Sequence, residues 1–233
     1  MSGKVILILV SMSKRESMQF KGTFYWLIFA FLLLALIFLS IFIAHHPIVQ
    51  SDIAISNYLQ QYHATWLDNA MVAVSFFGEL PYSLIVVILA AIIFYVTGFK
   101  REGYYTASIL ISGLVILVIK NLVDRPRPTA FYVRLVGINR FQSFPSGHVL
   151  SYTLFFGFLL ILMFTLKGVQ QTLKKVLVAI SIFYIASIPF SRIYLGAHWF
   201  TDILGGFILG LTLLFPLCYF YFRGKNEIES RYK

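Results

Sequence analysis

Phe24 to Ala44 is a run of 21 residues without a single charged side chain, and nothing else in the chain constrains its fold as strongly. A stretch that long and apolar belongs in lipid. There the backbone must satisfy its own hydrogen bonds, so an open strand is excluded and a helix of about 20 residues is the solution. Five more segments read the same way: Leu80–Phe99, Tyr104–Val123, Gly147–Leu166, Val176–Ser191 and Trp199–Phe222. Apolar residues make up 59% of the chain and charged residues 12%, roughly half the charge of an ordinary soluble domain. The expectation is an all-α, polytopic membrane bundle of six transmembrane helices.

The rest of the chain fits around these spans. Val5–Val10 is too short for the apolar region of a signal peptide, so residues 1–22 read as a cytoplasmic tail. Residues 23–223 form one six-span domain, and residues 224–233 a second cytoplasmic tail. Between the first two spans, Ile53–Phe77 is half polar and predicts an interfacial amphipathic helix that ends in a turn around Gly78. The lone cysteine, Cys218, sits in an apolar run and excludes an intramolecular disulfide. A net charge of +10 could suggest nucleic acid, but no basic stretch interleaved with aromatics supports that partner.

Topology accounts for the charge better. With both termini inside, 13 of the 19 Lys and Arg residues fall on the cytoplasmic side, as the positive-inside rule requires. The remaining six, Lys120, Arg125, Arg127, Arg134, Arg140 and Arg192, all fall on the outer face. They are misplaced for topology and need another reason to be there. Span counting supplies one. Lys120 closes the third span, His148 opens the fourth, Arg192 follows the fifth and His198 precedes the sixth, so all four meet at one mouth of an alternating bundle. Ionisable groups are costly beside hydrocarbon and are kept there for function.

Three blocks hold these residues: Lys120 with Arg127-Pro128, then Pro145-Ser146-Gly147-His148, then Ser191-Arg192 with His198 and Asp202. Their order and spacing resemble the type 2 phosphatidic-acid phosphatase superfamily of membrane lipid phosphatases. That pattern is Lys-x6-Arg-Pro, Pro-Ser-Gly-His and Ser-Arg-x5-His-x3-Asp, and all 11 specified positions agree. The resemblance implies hydrolysis of a lipid phosphate in the bilayer, with His198 as nucleophile.

The residues support the same chemistry. His198 and Asp202 are four apart, which on a helix places them on one face. A carboxylate on one ring nitrogen fixes the tautomer and frees the other to attack phosphorus, giving a phosphohistidine. His148 would protonate the departing oxygen and then activate water. Lys120, Arg127 and Arg192 would clamp the non-bridging oxygens, with Ser146 and the Gly147 N–H at a helix start offering an anion site. Pro126 and Pro128 end the third span and hold the arginine segment extended. No carboxylate cluster suggests a metal, and no cofactor is expected.

Other residues read more plainly. Arg125 is a contact for phosphate or for a lipid headgroup, and Arg134 and Arg140 are loop or headgroup contacts. Asp124 is the partner of a nearby arginine, Ser191 caps or orients its neighbours, and His45, His46 and His63 are ordinary interfacial residues. The expected protein is an enzyme of the cell membrane with its site on the periplasmic or extracellular face, acting on undecaprenyl diphosphate, phosphatidylglycerophosphate or phosphatidate. No protein partner is evident. A vanadate-dependent haloperoxidase shares the three blocks, but six spans argue against it. A transporter or flippase would show inverted repeats or mid-span charges. A silent lipid-binding protein would not need His148, His198 and Asp202 together.

Overall fold

The computed structural model describes residues 22–137 and 141–231. Among them every regular element is helical, and the helices form a membrane bundle. In chain order they are α1 (Gly22–His45), α2 (Gln50–Gln60), α3 (Thr65–Ser75), α4 (Tyr82–Val96), α5 (Lys100–Ser108), α6 (Ser112–Val123), α7 (Gly147–Thr165), α8 (Gln171–Tyr194) and α9 (Phe200–Arg231). Short 3-10 turns at Phe76–Gly78 and Ile109–Ile111 join α3 to α4 and α5 to α6.

Five stretches are long and apolar enough to cross a membrane alone: Tyr25–His45, Lys100–Val123, Gly147–Thr165, Gln171–Tyr194 and Phe200–Arg223. The sixth crossing differs from the expected Leu80–Phe99. α4 has only 15 residues, about 22 Å at 1.5 Å per residue, against a hydrocarbon core of about 30 Å. It qualifies as a span only together with Thr65–Gly78, from which it is bent by 55°.

The third crossing begins at Lys100 rather than Tyr104, because its first-turn charges find partners. Glu102 is buried and accepts from the Tyr221 hydroxyl at 2.8 Å, and Arg101 lies over the Tyr221 ring. α8 is longer than expected at both ends and carries Arg192 in its last turn. α9 continues through much of the segment read as a C-terminal tail, to Arg231.

α7 is the central helix. Two-thirds of its spanning window is buried inside the protein, against 11% for α1. Val149, Leu150, Tyr152, Phe158 and Leu162 pack inward from it, while the exposed Leu, Ile and Phe of α1, α4 and α6 face outward, as a lipid-facing surface requires. α9 lies against α7 through small residues. A Cβ on Gly206 would come within 2.6 Å of the Ser146 carbonyl oxygen, and one on Gly210 within 2.7 Å of Thr153 Cβ. Small residues at such crossings let helix backbones approach closely in a membrane. Here the approach sets the start of α7 beside the start of α9.

The segment expected as one interfacial helix is two, and its polarity is inverted. Asp52, Ser56 and Gln60, spaced four apart on α2, are all buried, whereas Tyr58, Tyr62 and Trp66 are exposed. Asp52 and Gln60 face protein because they have bonds to make there. Gln60 donates to the carbonyls of Arg134 and Tyr194, both at 2.8 Å, and accepts the Arg134 N–H at 2.9 Å.

Candidate active site

The turn between α8 and α9 carries His198. The N–H groups of Ala197 and His198 both donate to the Arg192 carbonyl, at 3.0 and 3.2 Å, folding the turn back on the end of α8. α9 begins at Phe200, so His198 precedes the helix, and the expected one-face helical pair is not how it meets Asp202. Asp202 lies in the first turn and reaches back to the Trp199 N–H at 2.8 Å. This is half of a capping box, and it aims the carboxylate backwards out of the helix. His198 Nδ1 then lies 3.5 Å from Asp202 Oδ2, and Nε2 lies 3.4 Å from Arg127 Nη1. One edge of the ring faces the carboxylate and the other faces the cations.

Asp202 is held by more than histidine. Its Oδ1 accepts from Arg125 Nη1 at 2.5 Å, and its Oδ2 accepts from the Ser143 hydroxyl as well as from the Trp199 N–H. Arg125 also donates to Asp52 at 2.6 Å, to Thr201 Oγ1 at 2.7 Å and to the Pro47 carbonyl at 2.9 Å. Asp52 in turn accepts the Thr201 N–H at 2.9 Å. Arg125 is therefore a sealed strut behind the site, its guanidinium wholly buried and taken up by protein acceptors.

The cationic side is assembled from three elements. Lys120, in the last turn of α6, donates to the Gln142 carbonyl. Arg127 donates to the carbonyls of Phe141 and Ala197, at 2.9 and 2.7 Å. Arg192 is anchored by Ser75 Oγ at 3.1 Å, which contacts Ser191 Oγ at 2.7 Å, and Ser191 bonds the Met71 carbonyl. Ser191 thus orients its neighbours, as expected. Ser146 caps the start of α7, and its N–H donates to the Asp202 carbonyl at 3.0 Å, joining the second and third blocks. Its buried hydroxyl has no hydrogen-bond partner, which suits an atom awaiting an anion's oxygen at a helix N-terminus.

Burial pushes the His198 imidazole well below its ordinary value of 6.5, and the charges of Arg127, Arg192, Lys120 and His148 push it further. The ring is neutral at physiological pH, the state a nucleophile needs. Burial also lowers Arg127, against the opposing pull of Asp202 and Glu79. Each of the residues picked out from the sequence, Lys120, Arg127, Ser146, Gly147, His148, Arg192, His198 and Asp202, lies at this one mouth of the bundle.

Two carboxylates were missed. Asp52 is one. The other is Glu79, at the corner between the 3-10 turn and α4, whose Oε1 lies 3.2 Å from His148 Nε2 and 3.5 Å from Arg192 Nη1. Its contact with His148, and then the charges of His148, Arg192 and Arg127, outweigh the cost of its partial burial and bring its carboxyl down to about 2. The rule that singled out His198, an ionisable residue at the end of an apolar run, applies equally to Glu79.

Other expectations change. Arg134 has a protein partner that the sequence did not reveal. It pairs with Asp68, which also accepts from Tyr194 at 2.7 Å. Asp124 is exposed, caps α6 with a left-handed φ of 46°, and has no ion pair among the described residues. Arg140 lies outside the described residues. Among those residues no three His, Cys, Asp or Glu gather as metal ligands would.

Residues 101–226 match the family model described as the PAP2 superfamily. Phosphatidylglycerophosphatase B of Bacillus subtilis (strain 168) is 30% identical over 195 residues, which is 81% of this chain and 90% of that protein. The crystal structure of a transmembrane PAP2 type phosphatidylglycerolphosphate phosphatase from Bacillus subtilis superposes with a TM-score of 0.72 at 24% identity, covering 82% of this chain and 94% of that one. Aquifex aeolicus LpxE has a TM-score of 0.50 at 22% identity, covering 69% and 93%. At those identities the two structures speak for the fold.

Proposed function

Because this chain belongs to the PAP2 superfamily and is a membrane lipid phosphatase, we propose that His198 is its nucleophile, His148 its acid and base, and Asp202 the group that orients His198. The observation that carries this reading is the two-sided setting of the His198 ring, with Nδ1 toward Asp202 and Nε2 toward Arg127. Nε2 attacks phosphorus and the bond to the leaving oxygen breaks, with His148 giving that oxygen a proton. Water then attacks the phosphohistidine, His148 takes the water's proton, and inorganic phosphate leaves. Lys120, Arg127, Arg192 and the Ser146–Gly147 helix start neutralise charge on the transferring oxygens, where most phosphoryl-transfer catalysis lies.

The proposed substrates are phosphatidylglycerophosphate, undecaprenyl diphosphate or phosphatidate, reached from the bilayer. The relative's name supports the first. Both termini are placed in the cytoplasm and the site on the opposite face, on the distribution of Lys and Arg. Phosphate release from a panel of lipid phosphates by purified protein, with and without EDTA, tests the activity. The expected result is turnover that survives chelation, and loss restored by Mg²⁺ or Zn²⁺ would refute the metal-independent route. Cysteine labelling at positions 129–137 of the outer loop tests the orientation, and labelling that requires the inner face to be opened would reverse it.

A further inference from the structure

Glu79 stands outside the three blocks and outside the segment that matches the family model, which begins at residue 101. The backbone holds it at the site. The Glu79 N–H donates to the Phe76 carbonyl at 3.2 Å and its own carbonyl accepts from Ser83 at 2.9 Å. Next to it, the place a Cβ on Gly78 would take is filled by the His148 ring, 2.4 Å away. The corner is pressed against the imidazole, and a single carboxylate oxygen touches both His148 and Arg192.

We infer that Glu79 selects the leaving group, favouring lipid phosphomonoesters, whose leaving group is a neutral alcohol, over lipid diphosphates, whose leaving group is an anionic lipid monophosphate. The inference rests on His148 being the acid of the proposed mechanism. An acid must come within about 2.6–3.2 Å of the oxygen it protonates. Glu79 Oε1 is already 3.2 Å from His148 Nε2, so whatever departs emerges beside this carboxylate. The carboxylate is ionised at neutral pH, since its partners bring it to about 2. An alcohol meets no charge repulsion there, and a hydroxyl next to the departing oxygen, as on a glycerol headgroup, can donate to Glu79. A departing phosphate meets a like charge at close range, on a carboxylate that is half exposed.

The distribution of cations points the same way. Among the described residues of the outer face, Arg125 is paired with Asp52 and Asp202, and Arg134 with Asp68. Lys120, Arg127 and Arg192 are the cations whose charges act on His198, and Arg192 also lies 3.5 Å from Glu79. They serve the phosphoryl group being transferred.

The test compares kcat/KM for the phosphate and the diphosphate of one prenol, and for the same pair built on one diacylglycerol, using the full-length protein in detergent micelles. The wild type is expected to prefer the monoester on each tail. Glu79→Gln keeps the shape and removes the charge, so it should raise the diphosphate-to-monoester ratio tenfold or more, whereas Glu79→Asp should retain the preference. A ratio unchanged in Glu79→Gln, with both rates falling together, would reduce Glu79 to a prop for His148 and overturn the inference. So would a wild type that prefers the diphosphate on both tails, a result that needs no variant to fold. Turnover of none of the four substrates by the wild type would instead overturn the lipid-phosphatase reading of the site, and the inference with it.

Discussion

Arg125 donates to Asp202 Oδ1 across 2.5 Å, and neither side chain has any exposure to solvent. The same guanidinium meets Asp52 at 2.6 Å, so one cation holds two buried carboxylates and ties α2 to the first turn of α9. Removing one member of such a group strands the others, at a cost of about 3–5 kcal/mol, a large fraction of the roughly 5–15 kcal/mol that holds a typical domain folded. Arg125→Met is therefore expected to lower the thermal unfolding midpoint in detergent sharply. Arg134→Met, which breaks the more exposed pair with Asp68, should lower it much less. Equal losses would contradict the assignment of Arg125 as a buried strut.

Asp202→Asn separates charge from shape at the same place. The Asn can still accept from the Trp199 N–H that Asp202 bonds at 2.8 Å, so the start of α9 is expected to survive by circular dichroism. The imidazole loses its orienting charge, and kcat should fall on the order of 10³–10⁴-fold, by analogy with the aspartate of a hydrolytic triad. Ser143→Ala removes one hydrogen bond to that carboxylate and should cost about tenfold to a hundredfold, in line with about 1.5–3 kcal/mol for a bond to a charged group. An Asp202→Asn enzyme that keeps full activity would remove Asp202 from the mechanism.

Gly78→Ala tests how tightly the corner before α4 is set against His148. The added methyl would lie 2.4 Å from His148 Cδ2 and 3.0 Å from the Tyr152 ring, so the imidazole must shift. A misplacement of about 1 Å in a catalytic group costs on the order of 10²-fold in rate. The loss should be mainly in kcat for lipid substrates, with an unfolding midpoint close to the wild type's. Unchanged kcat would show that the corner yields instead of His148.

Much of this architecture is legible in the residue string, for a physical reason. Lipid permits few backbone solutions, so apolar run lengths dictate the helices, and alternation then carries Lys120, His148, Arg192 and His198 to one face before any contact is known. What is not legible is pairing across distant segments. Asp52 is a lone acid in a half-polar stretch, and Glu79, though it stands at the end of an apolar run, carries no sign of its partner; only folding brings them to Arg125 and His148. The polar stripe Asp52, Ser56 and Gln60 has the spacing of an amphipathic helix whichever way it faces. Periodicity reports that a face exists, and it does not say whether water or protein lies against it. The bend before α4 and the start of α9 two residues after His198 are local capping outcomes, below the resolution of hydropathy.

Acidification should destabilise the protein through His198. Unfolded, this histidine takes up a proton near pH 6.5, whereas in the fold it stays neutral until well below that value. Between the two, the unfolded chain binds more protons, so stability rises with pH and is lost as pH falls below about 6.5, by up to about 1.4 kcal/mol per pH unit. Glu79 acts lower down. Its stabilising effect is present above 4.5 and lost only as pH falls from there toward about 2. Thermal unfolding in detergent between about pH 7.5 and 5 should thus fall less steeply for His198→Gln than for the wild type. Parallel curves would mean that His198 is not held neutral.

The final prediction divides the labour between the two histidines. His198→Ala should abolish turnover of every substrate, because no covalent intermediate can form without the nucleophile. His148→Ala should depend on the leaving group. Its first task is to donate a proton, so an activated aryl phosphate, which departs without one, should still phosphorylate the enzyme, while an alkyl phosphate on a lipid should not. Hydrolysis of the intermediate also needs His148, as base, so the phosphohistidine is expected to accumulate in this variant with the aryl substrate. Single-turnover phosphate release, combined with acid-free trapping of labelled enzyme, reads both steps. The buried setting of His198 between Asp202 and Arg127 leaves no described neighbour to replace it as nucleophile in that place. Covalent phosphate on the His198→Ala protein, or none on His148→Ala with the aryl substrate, would require the two roles to be reassigned.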